Sequence, residues 1–156
     1  MKIRRLNVED LELISTWLEQ SYIREYWGEP SDWLTEITEN ISADWVQYFI
    51  VETAKPIGFL QYYETDKAPS GEWSDEPAGT VGIDYLIGDP EYLGKGYGTQ
   101  LISLFVEFIK SANRYKYIVA DPVSASKSSV KVLDNNGFRQ KTNRLYWLDL
   151  RYASLR

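Results

Sequence analysis

The stretch Tyr85-Leu86-Ile87-Gly88-Asp89-Pro90-Glu91-Tyr92-Leu93-Gly94-Lys95-Gly96-Tyr97-Gly98-Thr99 decides how the rest of the chain is read. It is a short apolar run, a turn, and a glycine-alternating loop that opens a long amphipathic segment. Gly94, Gly96 and Gly98 remove three Cβ atoms where a backbone must curl its N–H groups toward an anion, and the helix that follows contributes the positive end of its dipole. Lys95 adds a positive charge to the same loop. Other glycine loops fit less well. A P-loop needs Ser or Thr after its Gly-Lys, and Lys95 is followed by Gly96. A dinucleotide fingerprint needs its third glycine three residues after the second, where this loop steps by two. A kinase glycine loop needs an H-R-D catalytic segment, and the chain contains no histidine. A ligand-free glycine turn is permitted by loop composition alone, but the order of strand, turn, glycines and helix is the order in which phosphate sites are built.

Upstream of the loop, Val81 to Ile87 reads as a strand. Val81, Ile83, Tyr85 and Ile87 share one face, leaving Gly82, Asp84 and Leu86 on the other. A carboxylate in so apolar a strand is costly unless it meets water or a partner, which marks Asp84 as a functional candidate. Downstream, Leu101, Ile102, Phe105, Val106, Phe108 and Ile109 define a helix from about Gly98 that ends at Ser111-Ala112-Asn113. Tyr117 to Ala120 is a strand running into Asp121-Pro122, and Ser126 to Asn135 is a further helix. Asn136-Gly137-Phe138 turns into another strand, and Arg144 to Leu150 forms the last. This alternation predicts an α/β chain with a mixed sheet and a crossover.

The N-terminal half reads as a strand from Lys2 to Leu6 and a helix from Val8 to Gln20 capped by Asn7. An aromatic segment from Ile23 to Pro30 follows, and a second helix capped by Ser31 or Asp32 runs to Asn40. Val46 to Thr53 and Ile57 to Tyr63 are β-rich runs arranged like a hairpin. Glu64 to Gly79 is neither strand nor helix, and it carries Glu64, Asp66, Glu72, Asp75 and Glu76 around Trp73 with Lys67 as the single cation. Such a charge run is usually a solvated loop; the sharper alternative is a lip that recognises a cation over an active site. Tyr26 and Trp27 pose the same choice between core packing and a binding wall.

At 156 residues the chain is the size of one domain, so a single domain spanning residues 1–156 is expected. It has neither cysteine nor histidine, which excludes disulfides, Cys/His zinc sites, cysteine nucleophiles and Ser-His-Asp triads. No metal is expected, and acid–base chemistry falls to Asp, Glu, Tyr or Lys. A formal net charge of −6 argues against nucleic acid and for a cationic or neutral partner. No apolar run is long enough to cross a bilayer, and Met1-Lys2-Ile3-Arg4-Arg5 leads straight into patterned structure with no signal-peptide core. A cytoplasmic protein is expected.

Asp89 to Thr99 resembles the acyl-CoA pyrophosphate loop of the GCN5-related N-acetyltransferases, with Leu93 where that family usually has Arg or Gln. Trp17-Leu18, Glu25-Tyr26-Trp27-Gly28, Pro56-Ile57-Gly58, Gly82-Ile83-Asp84, Asp121-Pro122 and Asn136-Gly137-Phe138-Arg139 extend the likeness along nearly the whole chain, toward the bacterial aminoglycoside 6′-N-acetyltransferases, a branch tied to antibiotic resistance. The resemblance implies the family's fold, a central, mostly antiparallel sheet with flanking helices, and acetyl-CoA as co-substrate. It implies that Asp84 is the catalytic base or amine ligand and that Asp121 binds the drug. Glu72, Trp73 and Asp75 of the acidic loop, with Tyr26 and Trp27, are the further candidates for a cationic small-molecule amine. On the cofactor side, Leu86, Ile87 and Gly88 are expected along the pantetheine arm and Gly94, Lys95, Gly96, Tyr97, Gly98 and Thr99 around the pyrophosphate. Ser126 stands where an Asn commonly contacts CoA. Leu133 replaces a Tyr proposed to protonate the departing thiolate, so no Tyr acid is assigned. Another amine acceptor, such as a polyamine or a protein N-terminus, and a non-catalytic acyl-CoA sensor remain alternative readings.

Overall fold

The computed structural model describes residues 1–122 and 127–152. Along the chain these form β1 (Lys2–Arg5), α1 (Leu11–Leu18), α2 (Ser21–Trp27), α3 (Pro30–Asn40), β2 (Val46–Glu52), β3 (Pro56–Glu64), β4 (Thr80–Ile87), α4 (Tyr97–Ser111), β5 (Tyr117–Ala120), α5 (Lys127–Asn135), β6 (Arg139–Gln140) and β7 (Tyr146–Asp149). Short 3₁₀ turns at Val8–Asp10 and Pro90–Tyr92 precede α1 and α4.

Three local expectations are corrected. The helix expected from Val8 starts as a 3₁₀ turn, because Asp10 turns back to accept the Asn7 N–H at 2.9 Å and is held by Arg4 at 2.8 and 2.9 Å. The aromatic segment is itself a helix, α2, ended by Gly28 at φ 81°, a conformation side chains resist. Neither Ser31 nor Asp32 caps α3. Pro30 occupies its first turn, where a missing N–H costs nothing.

The strands make one seven-stranded sheet in the order β1-β2-β3-β4-β5-β7-β6. Every neighbouring pair is antiparallel except β4 with β5, which α4 connects. The mixed, mostly antiparallel sheet therefore matches expectation. Its two faces are covered separately. On one, Phe105, Leu101, Ile102 and Ile109 of α4 and Leu133 of α5 pack with Phe49, Leu60, Val81 and Ile83. On the other, Ile14, Trp17 and Leu18 of α1, Ile23 of α2 and Ile37 of α3 pack with Ile50, Phe59, Tyr63 and Leu86. The alternation read from Val81 to Ile87 holds, with Val81 and Ile83 in the first core and Leu86 in the second.

The feature that makes a site is where one pairing stops. β3 accompanies β4 from Val81 to Ile87, but β5 accompanies it only from Thr80 to Ile83, the last partners being Ile83 and Ala120. Beyond that point β4 continues without a strand on its β5 side among the described residues. A backbone edge left unpaired in the middle of a sheet is an opening that a polar chain can occupy.

Candidate active site

Asp84 and Asp121 each follow the last residue of the β4–β5 pairing, so the parallel register places them together where the strands part. Asp84 also lies opposite Gln61 in the β3–β4 register, and the Gln61 amide donates to its Oδ2 at 2.8 Å. Removal from water pushes the Asp84 carboxyl up to about 6, against the stabilising Gln61 hydrogen bond and with the negative fields of Glu36 and Asp121 adding to the rise. Asp121 is raised too, chiefly by desolvation, with Arg144 opposing the rise and Glu72 adding to it.

Both carboxylates open into a cavity of about 400 Å³ on the α1–α3 side of the sheet. Tyr26 and Trp27 of α2, Trp33 and Glu36 of α3, Tyr48 of β2 and Tyr63 of β3 line its walls, and Trp73 of the long loop reaches the same cavity. The rings brace one another. Trp27 and Trp33 lie 4.5 Å apart between centroids, and Tyr63 meets Trp73 edge-on at 5.1 Å. Among the described residues no Lys or Arg lines this cavity, while Glu36, Asp84 and Asp121 do. Carboxylates in an aromatic box with no internal cation suit a positively charged ligand, held by charge and by the ring faces together.

The acidic loop contributes less charge than its sequence promised. Glu64 pairs with Lys67 at 3.0 Å and with Arg114 at 2.8 Å, Glu76 with Lys141 at 2.7 Å, and Glu72 with Arg144 at 3.5 Å. Three of those cations come from segments remote in sequence, which is why Lys67 looked alone. Glu72 and Asp75 do not reach the cavity wall, and Trp73 is the candidate from this loop that does.

On the other side of the opening, a groove of about 460 Å³ runs along the end of β4, walled by α2, α4 and α5. Leu86, Ile87, Leu93, Gly94, Gly96, Tyr97, Gly98 and Thr99 line it. Gly94 and Gly96 sit at φ 69° and 82°, and a Cβ built on either would meet no protein atom within 4 Å, so both glycines serve the backbone curl and leave the space before them open. Gly96 precedes α4 with no side chain capping the helix, so the first N–H groups of α4 have no partner from the helix itself and open on the groove. Gly98 has a different purpose. A Cβ there would lie 3.1 Å from Val132, so glycine lets α5 close on α4, and Asn136 fastens the contact by donating to the Thr99 and Val132 carbonyls at 3.2 and 2.9 Å.

Two of the expected cofactor residues make other contacts in this structure. Gly88 has both backbone groups in use, its N–H donating to Ile57 at 2.7 Å and its carbonyl accepting from Gln20 and from the Tyr22 hydroxyl, which also donates to the Ile87 carbonyl at 2.8 Å, so these contacts brace the end of β4. The Lys95 ammonium donates to the Glu91 carbonyl at 2.7 Å, and Lys131 of α5 is a cation lining the groove. Ser126 lies outside the described residues. Sequence reasoning also missed Gln61 and Glu36. Gln61 carried a readable signal, a polar residue inside the apolar run Ile57 to Tyr63, whereas a carboxylate on the polar side of a helix, as in Glu36, is too ordinary to single out.

The cavity and the groove share Tyr26, Trp27, Tyr85 and Ser129 as lining residues, so they meet beside Asp84. The Tyr85 hydroxyl donates to the Ser129 carbonyl at 3.2 Å, tying β4 to α5 at the junction. Leu133, one turn farther along α5, is fully buried and contributes an apolar surface to the cavity.

A family model described as an acetyltransferase (GNAT) domain matches residues 7–144. The aminoglycoside N(6′)-acetyltransferase type 1 of Klebsiella pneumoniae is 28% identical over 148 residues, covering 89% of this chain and 74% of the relative. The solved structure of AAC(6′)-Ib in complex with ribostamycin and coenzyme A superposes with a TM-score of 0.86 at 26% identity, covering 99% of this chain and 96% of the other. A second, of AAC(6′)-Ib with coenzyme A and kanamycin, gives 0.84 at 25% identity over 97% and 95%.

Proposed function

This chain belongs to the GNAT acetyltransferase family, and on that premise we propose that it transfers the acetyl group of acetyl-CoA to the 6′-amine of an aminoglycoside. The observation that carries the proposal is the meeting of two unlike cavities beside Asp84, a glycine-lined groove at a helix N-terminus and an acidic aromatic box. The groove suits an elongated ligand with phosphates at one end, and acetyl-CoA supplies an activated acetyl group as a thioester. The curl at Gly94 and Gly96 and the first turn of α4 bind the diphosphate, and Lys131 adds charge. The stretch of β4 beyond its pairing with β5, at Leu86 and Ile87, holds the arm between, with the Ile87 carbonyl already accepting from the Tyr22 hydroxyl at 2.8 Å, and the parting of β4 from β5 delivers the arm's end to Asp84.

The amine must be neutral to attack. Asp84, poised with its pKa near 6, accepts the ammonium's proton directly or through one water, and its negative charge holds the amine in place. Asp121 and the aromatic walls hold the remainder of the acceptor. No side chain is assigned to protonate the departing thiolate, since Leu133 offers none and the proton can come from solvent.

Release of thiol from acetyl-CoA in the presence of kanamycin tests the proposal, and absence of acceptor-dependent release would overturn it. Because a base works only when ionised, kcat/KM is expected to rise as pH passes upward through about 6, with any rise at higher pH reflecting the acceptor amine. A profile flat between pH 5 and 7 would exclude Asp84 from that role. Asp121→Asn is expected to raise the acceptor KM about 10- to 100-fold, the span for losing a charge-assisted hydrogen bond, with little change in the acetyl-CoA KM. Equal losses for both substrates would mark Asp121 as structural.

A further inference from the structure

The acceptor cavity has one wall that the catalytic reading leaves unused. Trp33 and Glu36 lie three residues apart on α3, hence on one face of the helix, and both line the cavity. Glu36 sits at its rim, also bordering a shallow recess with Asp32 and Glu39. Among the described residues no cation pairs with the Glu36 carboxylate, and none lines the cavity. A second observation points to a ligand. Gln61, 5% exposed and lining the same cavity, donates its amide N–H to Asp84 and leaves its Oε1 buried without a hydrogen-bond partner among the described residues. A buried amide oxygen without a donor is costly, and a ligand bearing N–H groups would satisfy it.

We infer that Glu36 is a specificity-determining residue that binds an ammonium group remote from the reacting amine, so that the site selects acceptors carrying several cations over monoamines. The inference rests on the reading of this cavity as the acceptor site. Three carboxylates without an internal cation repel one another, and a single ammonium at Asp84 leaves two of them unneutralised. A polycation meets all three, with Asp84 at the junction facing the reacting nitrogen and Glu36 at the far rim. Trp33 beside Glu36 offers its ring face to the same ammonium or to the apolar face of a sugar.

The test compares wild type, Glu36→Gln and Glu36→Lys with paired acceptors: kanamycin against methyl 6-amino-6-deoxyglucoside, and spermine against butylamine. Glu36→Gln is expected to lower the kcat/KM ratio of polycation to monoamine about tenfold, with the change carried by KM, and Glu36→Lys to lower it further. Calorimetric affinities for kanamycin and spermine should fall in the same order. Preservation of the ratio, or an equal loss for monoamine and polycation, would overturn the inference. Failure of wild type to use kanamycin would instead remove the aminoglycoside reading, and the spermine comparison would still decide the role of Glu36.

Discussion

Asp84→Asn is expected to lower kcat by about 10²–10⁴, the usual contribution of a positioned acid–base group, while leaving acetyl-CoA affinity near wild type. The amide is almost isosteric and faces the same Gln61, so β4 keeps its pairing with β3. It cannot take a proton, and it gives up the charge that holds the acceptor ammonium at the junction. The variant should therefore also lose the rise in rate through pH 6 and recover most at high pH, where the amine is neutral without help. Stability should move the other way. Asp84 titrates near 6 in the folded chain and near 3.9 when unfolded, so between these values the folded state holds a proton that the unfolded state has released. Ionising it in place costs stability as pH rises through that window, and the cost is fully present above pH 6. Asparagine escapes it, and reversible unfolding at pH 7.5 should show a gain of about 1–2 kcal/mol. An inactive variant that is also less stable would point to a structural defect, and a fully active one would remove Asp84 from the chemistry and leave Asp121 and Glu36 as the carboxylates within the cavity.

Gly96→Val is expected to weaken acetyl-CoA binding more than 100-fold. At φ 82° a β-branched residue is strained by about 1–3 kcal/mol, and the backbone relieves the strain by abandoning the curl that presents the loop's N–H groups. Gly96→Asn separates this from simple obstruction. Asparagine tolerates the left-handed conformation, so the loop survives while a side chain enters the space that is free of protein atoms within 4 Å of the built Cβ. Both variants should lose acetyl-CoA affinity by calorimetry, and the valine variant alone should lose stability. Normal acetyl-CoA binding by either would place the diphosphate elsewhere.

Much of this site is local chemistry, and local chemistry is legible in a chain. The alternation of Val81 to Ile87 placed Asp84 on the opposite face from Val81 and Ile83 before any partner strand was known, since side-chain direction in a strand has a period of two. The glycine loop and the helix after it could be read because positive φ and an uncapped helix start are needs of the residues themselves. The α2 helix was missed because its N-cap, Gln20, makes no side-chain capping hydrogen bond and its aromatic run is stabilised by packing on Phe59 and Trp33, contacts that lie outside its own sequence.

By itself the sequence determined the strand-loop-helix unit, the absence of histidine and cysteine chemistry, and Asp84 as a carboxylate in an apolar strand. Only the tertiary structure decided how those parts meet. It ended the β4–β5 pairing at Ile83 and Ala120, which set Asp84 beside Asp121 and opened the sheet between groove and cavity. It paired Glu64, Glu72 and Glu76 with cations distant in the chain, and brought Glu36 and Gln61 to the cavity wall. The physical reason is one of range: backbone conformation and side-chain direction are set by a residue and its near neighbours, whereas charge pairing and cavity walls depend on which distant segments the two hydrophobic cores draw together.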